Sequence, residues 1–193
     1  MTKIVGLVGM MGSGKSTILE VFESLKISCF NSDNEAKKIM KTIPDIRKQI
    51  IDIFGHESYL NQTPNKKYLS NIVFNNPKKL NLLNKIIHPI LIKKIILWSK
   101  NITSKYCVVE SAILFESGLN KLCNKIICVE APEKIRIQRI IKRDKINKES
   151  IIKRFNNQTK LKSHIKSIDY FIKNIDFDET TKNVITIHNK LFN

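Results

Sequence analysis

Residues 9–16, Gly-Met-Met-Gly-Ser-Gly-Lys-Ser, match the pattern G-x-x-x-x-G-K-[ST] at every defined position. Four of the chain's six glycines (Gly6, Gly9, Gly12 and Gly14) fall within or just before this stretch. A backbone without Cβ atoms can curl so that successive N–H groups converge on phosphate oxygens. A helix starting here adds the positive end of its dipole. Lys15 then reaches the β- and γ-phosphates, and Ser16 offers a hydroxyl to Mg²⁺. This is the chemistry of a nucleoside triphosphate site, with Gly12, Ser13, Gly14, Lys15, Ser16 and Thr17 as its binding residues. The motif names no reaction by itself.

Other residue types could complete such a site. Asp33 lies just past a second apolar run. A carboxylate there can accept a hydroxyl proton or help hold a metal, and a helix N-cap followed by Glu35 would explain it equally well. Glu110 closes a third apolar run, where a carboxylate holds Mg²⁺ through water; if buried, it needs a cation or comparable partner. The chain has only five arginines against 29 lysines, and Arg136, Arg139, Arg143 and Arg154 lie within 19 residues. The first three follow i, i+3, i+7 spacing and share one helix face. Forked donors concentrated in this way suit phosphate oxygens and suggest a lid over the transferring group. A solvated basic face is the alternative. Cys29, Cys107, Cys123 and Cys128 contain no C-x-x-C pair and read as buried free thiols, with no zinc site.

Short apolar runs alternating with longer periodic ones must position these residues. Strands are expected at Lys3–Val8, Ile27–Phe30, Tyr106–Glu110, Lys125–Val129 and Tyr170–Ile172. Helices are expected from about Lys15 to Leu25, from Asp33 to about Phe54 with a restart at Pro44, after Pro132, after a cap at Asn147, and over Glu179–Leu191. Pro77 opens a long periodic stretch that His88-Pro89 should interrupt. The alternation implies an α/β fold with a parallel sheet. The helical stretch between about 35 and 100 has no strand partner and should form a side lobe.

Composition narrows the function classes. The 193 residues are 42% hydrophobic and 26% charged, which excludes a disordered chain. No apolar run reaches the ~18 residues of a membrane helix. The run Ile4–Met11 leads into the glycine motif and not to a small-residue cleavage site, so a cytoplasmic location is expected. The net charge of +17 would suit an anionic partner. However, Lys, Ile and Asn, all with AT-rich codons, make up 81 residues, and the lysines are dispersed without interleaved aromatics. No nucleic-acid partner is expected. A guanine-nucleotide switch also fits poorly. Asp52-Ile53-Phe54-Gly55 falls at the end of an amphipathic helix, and Asn147-Lys148-Glu149-Ser150 lacks the Asp of N-K-x-D. A small-molecule kinase remains.

Further segments make the chain resemble the dephospho-coenzyme A kinases nearly end to end. They are Val5-Gly6-Leu7-Val8-Gly9 running into Gly12–Thr17, Asp33, Ile86-Ile87-His88-Pro89-Ile90, Leu114-Phe115-Glu116, Arg139 to Asp144, Arg154-x-x-x-Gln158, and Asp169-Tyr170-Phe171-Ile172-x-Asn174. The resemblance implies a P-loop NTPase fold with a five-stranded parallel sheet flanked by helices. It implies one kinase domain: a core of 1–34, 105–135 and 168–193, a helical substrate lobe of about 35–104 and a lid of about 136–167. The implied activity is ATP- and Mg²⁺-dependent phosphorylation of the 3′-hydroxyl of dephospho-coenzyme A by a monomer or weak homo-oligomer. Asp33, Lys15 and Arg143 would be catalytic, Arg139 and Asn174 would join the loop in binding ATP, and Asn174 would lie near the adenine. Asp33, His88, Glu116 and Arg154 would bind the acceptor; Ser16 and Glu110 would hold the metal. The alternatives are another P-loop small-molecule kinase or a nucleoside monophosphate kinase, although the Gly-x-Pro-Arg element of the latter is absent, and behind them a nucleic-acid-binding NTPase, which only the charge supports. Three features depart from the family pattern. Glu110-Ser111-Ala112-Ile113-Leu114 stands in place of Asp-x-Pro-Leu-Leu, Lys160 or Lys162 replaces an arginine after Gln158, and Met10-Met11 replace smaller loop residues.

Overall fold

The computed structural model describes residues 2–74, 76–156 and 161–192. It comprises two compact units, Met1–Asn31 with Trp98–Asn193, and Ser32–Leu97.

The first unit is built on five parallel strands: β1 (Lys3–Gly9), β2 (Cys29–Asn31), β5 (Tyr106–Glu110), β6 (Lys125–Glu130) and β7 (Tyr170–Lys173), ordered β2-β5-β1-β6-β7. The central β1 is nearly uninterrupted apolar sequence because both its faces are covered, as parallel sheets require. Helix α1 (Lys15–Ser24) presents Ile18, Leu19, Val21 and Phe22 to the sheet. Helix α8 (Phe177–Phe192) adds Val184, Ile187 and Leu191 to the same core. Each such side chain, once fully buried, contributes roughly 1.5–3 kcal/mol of transfer free energy. The buried phenol of Tyr106 bonds His188 Nδ1 at 2.7 Å, so its hydroxyl is satisfied inside this core.

Helices α6 (Glu133–Asp144) and α7 (Lys148–Asn156) also belong to this unit and pack through Ile137, Ile140 and Ile151. Asn147 does cap α7: its Oδ1 accepts from Ser150 N at 2.9 Å.

The second unit contains α2 (Ser32–Thr42), α3 (Pro44–Phe54), α4 (Lys66–Phe74) and most of α5 (Pro77–Lys100). The Glu35 carboxylate, 2.9 Å from Lys94 Nζ, links α2 to α5. Two local expectations are corrected here. The stretch is not purely helical, because β3 (Tyr59–Leu60) and β4 (Thr63–Pro64) form a small antiparallel hairpin. Its turn residues Asn61 and Gln62 both have positive φ, and Gln62, which seldom adopts it, hides the signal. Nor does His88-Pro89 break the helix, since α5 runs through Pro89. Apolar anchors at Ile87, Leu91 and Ile95 hold both sides of the proline and outweigh its lost hydrogen bond.

Candidate active site

The carboxyl ends of the strands carry the site. In the parallel register Leu7 and Asn31 both lie opposite Glu110, and Gly9 lies opposite Val129. The chain passes from β1 to β2 on one side of β1 and later to β6 and β7 on the other, so the loop after β1 emerges where the strand order reverses. Gly12 (φ 80°) and Gly14 (φ 91°) take the left-handed conformation that lets this loop curl back into α1. Helix α1 has no acidic residue in its first turn, and the leading N–H groups of a helix lack intrahelical acceptors, so an anion is favoured there.

Lys15 Nζ donates to the Gly9 carbonyl at 2.9 Å and lies 3.9 Å from the carboxylate of the buried Glu110. A buried carboxylate facing the loop lysine is the partner that the end of β5 required. Ser16 is exposed in the first turn of α1. Among the described residues no cluster of three His, Cys, Asp or Glu side chains could hold a metal ion. A metal carried by phosphates and water needs none, and a hydroxyl and a carboxylate are hard oxygen donors of the kind Mg²⁺ takes.

The glycines also have a packing reason that the motif alone does not reveal. A Cβ on Gly9 would lie 2.5 Å from the Val129 carbonyl oxygen, and one on Gly12 would lie 2.7 Å from the Arg136 carbonyl oxygen. A Cβ on Gly14 would collide with the Asn174 amide nitrogen. That Nδ2 donates to the Ser13 carbonyl at 2.8 Å, and Arg139 Nη1 approaches the same oxygen at 3.4 Å. The side chain expected beside the adenine thus holds the loop, as does that of Arg139.

The remaining arginines, Arg136 and Arg143 on α6 and Arg154 on α7, differ widely in burial. Arg136 is 9% exposed, stacks 4.3 Å from the Phe155 ring centroid, and has a buried Nη1 with no hydrogen-bond partner among the described residues. Burial holds its pKa below the usual guanidinium value. This removes Arg136 from the solvated face that the spacing allowed. Arg136 and Met10 line a largely apolar cavity of about 430 Å³ with Cys128, Ile165 and Phe171. Met11 joins the apolar cluster of α6 and α7. Arg143 is exposed, and its fork grips Asp144 at 2.7 and 3.0 Å. Arg154 Nη1 lies 3.9 Å from the same carboxylate.

Glu116 is exposed in the loop after β5, and its neighbour Phe115 stacks face to face on His164 with centroids 4.2 Å apart. Thr17 is half-buried in the first turn of α1. Asp169 is fully engaged by β6: its two oxygens accept from Lys125 Nζ and Ile126 N at 2.7 and 2.8 Å. Gln158, Lys160 and the side chain of Lys162 lie outside the described residues.

In the second unit, Asp33 is the second residue of α2, which starts at Ser32 directly after β2. It therefore sits inside the first turn and is not the N-cap. His88 is half-buried within α5, and burial lowers its pKa below the ordinary imidazole value. Cys128 is buried and its thiol pushed up to about 12, so it stays protonated and inert.

The sheet order, the glycine loop leading into α1 and the Lys15–Glu110 pair define a P-loop kinase. Shikimate kinase from Acinetobacter baumannii shares this fold at a TM-score of 0.59 with 15% identity, covering 98% of this chain and 95% of its own. A family model described as dephospho-CoA kinase matches residues 3–179. A dephospho-CoA kinase of Leptospira interrogans is 35% identical over 177 residues, 90% of this chain and 84% of its own. The solved dephospho-CoA kinase from Campylobacter jejuni superposes with a TM-score of 0.70 at 27% identity, covering 100% of this chain and 98% of its own. The chain belongs to the dephospho-CoA kinase family.

Proposed function

We propose that this protein transfers the γ-phosphoryl group of ATP to the 3′-hydroxyl of dephospho-coenzyme A, the last step in making coenzyme A. The observation that carries this reading is the family match over residues 3–179, which extends far beyond the phosphate loop. The loop N–H groups and Lys15 bind the triphosphate, with Lys15 exchanging its Gly9 carbonyl for phosphate oxygen. Ser16 and Glu110 would hold Mg²⁺, which when bound would offset the negative charge of the triphosphate during transfer. Asp33 orients the acceptor hydroxyl and takes its proton. Residues 35–104, with His88, serve as the acceptor lobe, and residues 136–167 act as a lid carrying Arg139, Arg143 and Arg154. Glu116 contributes from the loop after β5. We place the enzyme in the cytoplasm as a monomer or weak homo-oligomer, without a nucleic-acid partner.

The test is a panel of acceptors incubated with ATP and Mg²⁺ while ADP release is followed. Turnover confined to dephospho-coenzyme A is expected. Turnover of nucleoside monophosphates instead would replace the assignment.

A further inference from the structure

We propose that Asn174 is a positioning residue for phosphoryl transfer: it sets the phosphate loop through the Ser13 carbonyl, and it adds a steric reason to the backbone one for glycine at position 14. The inference rests on the reading of the loop as a triphosphate site. Asn174 is 4% exposed and donates from Nδ2 to Ser13 O at 2.8 Å across 161 residues of chain. Its own backbone is fixed independently. Its N–H extends the β6–β7 pairing by donating to Glu130 O at 2.8 Å. The preceding carbonyl, of Lys173, accepts from Thr180 Oγ1 at 3.2 Å. At the other end of β7, Asp169 binds the start of β6 through both carboxylate oxygens. Asn174 is thus a rigid arm on the sheet, reaching past the end of β6 to the loop after β1.

The peptide plane makes that arm matter. Ser13 C=O and Gly14 N–H belong to one trans peptide, so they point in opposite directions. Holding the carbonyl toward Asn174 turns the Gly14 N–H away from it, and so fixes the direction of one of the N–H groups that the triphosphate reading assigns to phosphate. Nothing in Gly14 itself prevents that peptide from flipping, because glycine tolerates both signs of φ. Arg139 is a weaker second hold, at 3.4 Å. The amide also fills the space where a Gly14 Cβ would stand. Glycine is required there by the protein's own side chain as well as by φ 91°.

The test uses the full chain without acceptor, so its outcome does not depend on the acceptor assignment. Binding of ATP and of inosine triphosphate, which lacks the 6-amino group, is titrated on native protein and on Asn174→Ala, alongside melting temperature. Loss of one buried hydrogen bond should weaken both nucleotides by the same factor, about tenfold or more, with melting shifted by only a few degrees. Weakening of ATP alone would make Asn174 a base contact and overturn the proposal, as would unchanged affinity for both. A cycle with Gly14→Ala reads the steric part: its cost should be smaller in the Asn174→Ala background than in native protein. Equal costs would refute that part. If Asn174→Ala does not fold, Asn174→Leu fills the amide's volume without the donor and is measured in the same way. Failure of both to fold would make Asn174 a stability residue and end the proposal.

Discussion

Lys15 spends its ammonium on the Gly9 carbonyl and on proximity to Glu110. Its side chain is only 11% exposed, so alanine would give up some packing along with the ammonium. Lys15→Ala should therefore stay folded but melt somewhat lower, while kcat falls on the order of 10²-fold or more. Near-normal turnover in a folded variant would remove Lys15 from the chemistry. Asp33 permits a cleaner separation. In the first turn of α2 its charge interacts with the helix dipole, an effect of roughly 0.3–1 kcal/mol that an uncharged asparagine would forgo. Asp33→Asn should thus melt only slightly lower, whereas loss of a proton acceptor should cost roughly 10² in kcat or more. ATP affinity should survive. A folded Asp33→Asn enzyme with nearly full kcat would leave Asp33 a helix-dipole residue only.

Helix α5 shows how element-level context overrides a local breaker. Pro89 is carried by the buried residues on either side, and His88 is thereby held half-buried in the helix. Burial lowers the His88 pKa in the folded chain below its unfolded value of about 6.5. Below that pH the unfolded chain takes up a proton before the folded one does. The contribution of His88 to stability is therefore complete above pH ~6.5 and lost as pH falls toward the folded pKa. His88→Gln should show a smaller drop in melting temperature than native protein between pH 7.5 and 5. Equal drops would contradict the burial effect. In α6, the Arg143 fork grips the Asp144 carboxylate. If Arg143 turns to phosphate during turnover, lysine would keep the charge but not the planar pair of donors. Arg143→Lys should then lower kcat more than Lys142→Arg, and equal effects would argue against the lid role.

At the scale of the whole molecule, a net charge of +17 is spread over the surface lysines. A diffuse positive surface attracts polyanions only through counterion release, which salt suppresses steeply. Duplex DNA and RNA should bind weakly at low salt and be released by physiological salt. Tight, salt-resistant binding, or ATP turnover raised by nucleic acid, would contradict this. Among the described residues no helix is long and apolar enough to cross a membrane.

The residues alone determined whatever depends on near neighbours. The phosphate loop is contiguous, so its spacing could be read directly. Buried parallel strands are continuous apolar runs, so β1, β5 and β6 were found nearly to the residue. Asn147 announced a cap because capping acts within three residues. The β3–β4 hairpin escaped because its left-handed turn is made by Asn61 and Gln62, without a glycine to mark it. Tertiary structure alone decided which arginine is buried, since i, i+3, i+7 spacing describes a face but not what covers it. It also decided that Asn174 grips Ser13 and thereby adds a steric reason for Gly14. Such partners are far apart in the chain and meet only because parallel pairing aligns the carboxyl ends of β1, β6 and β7.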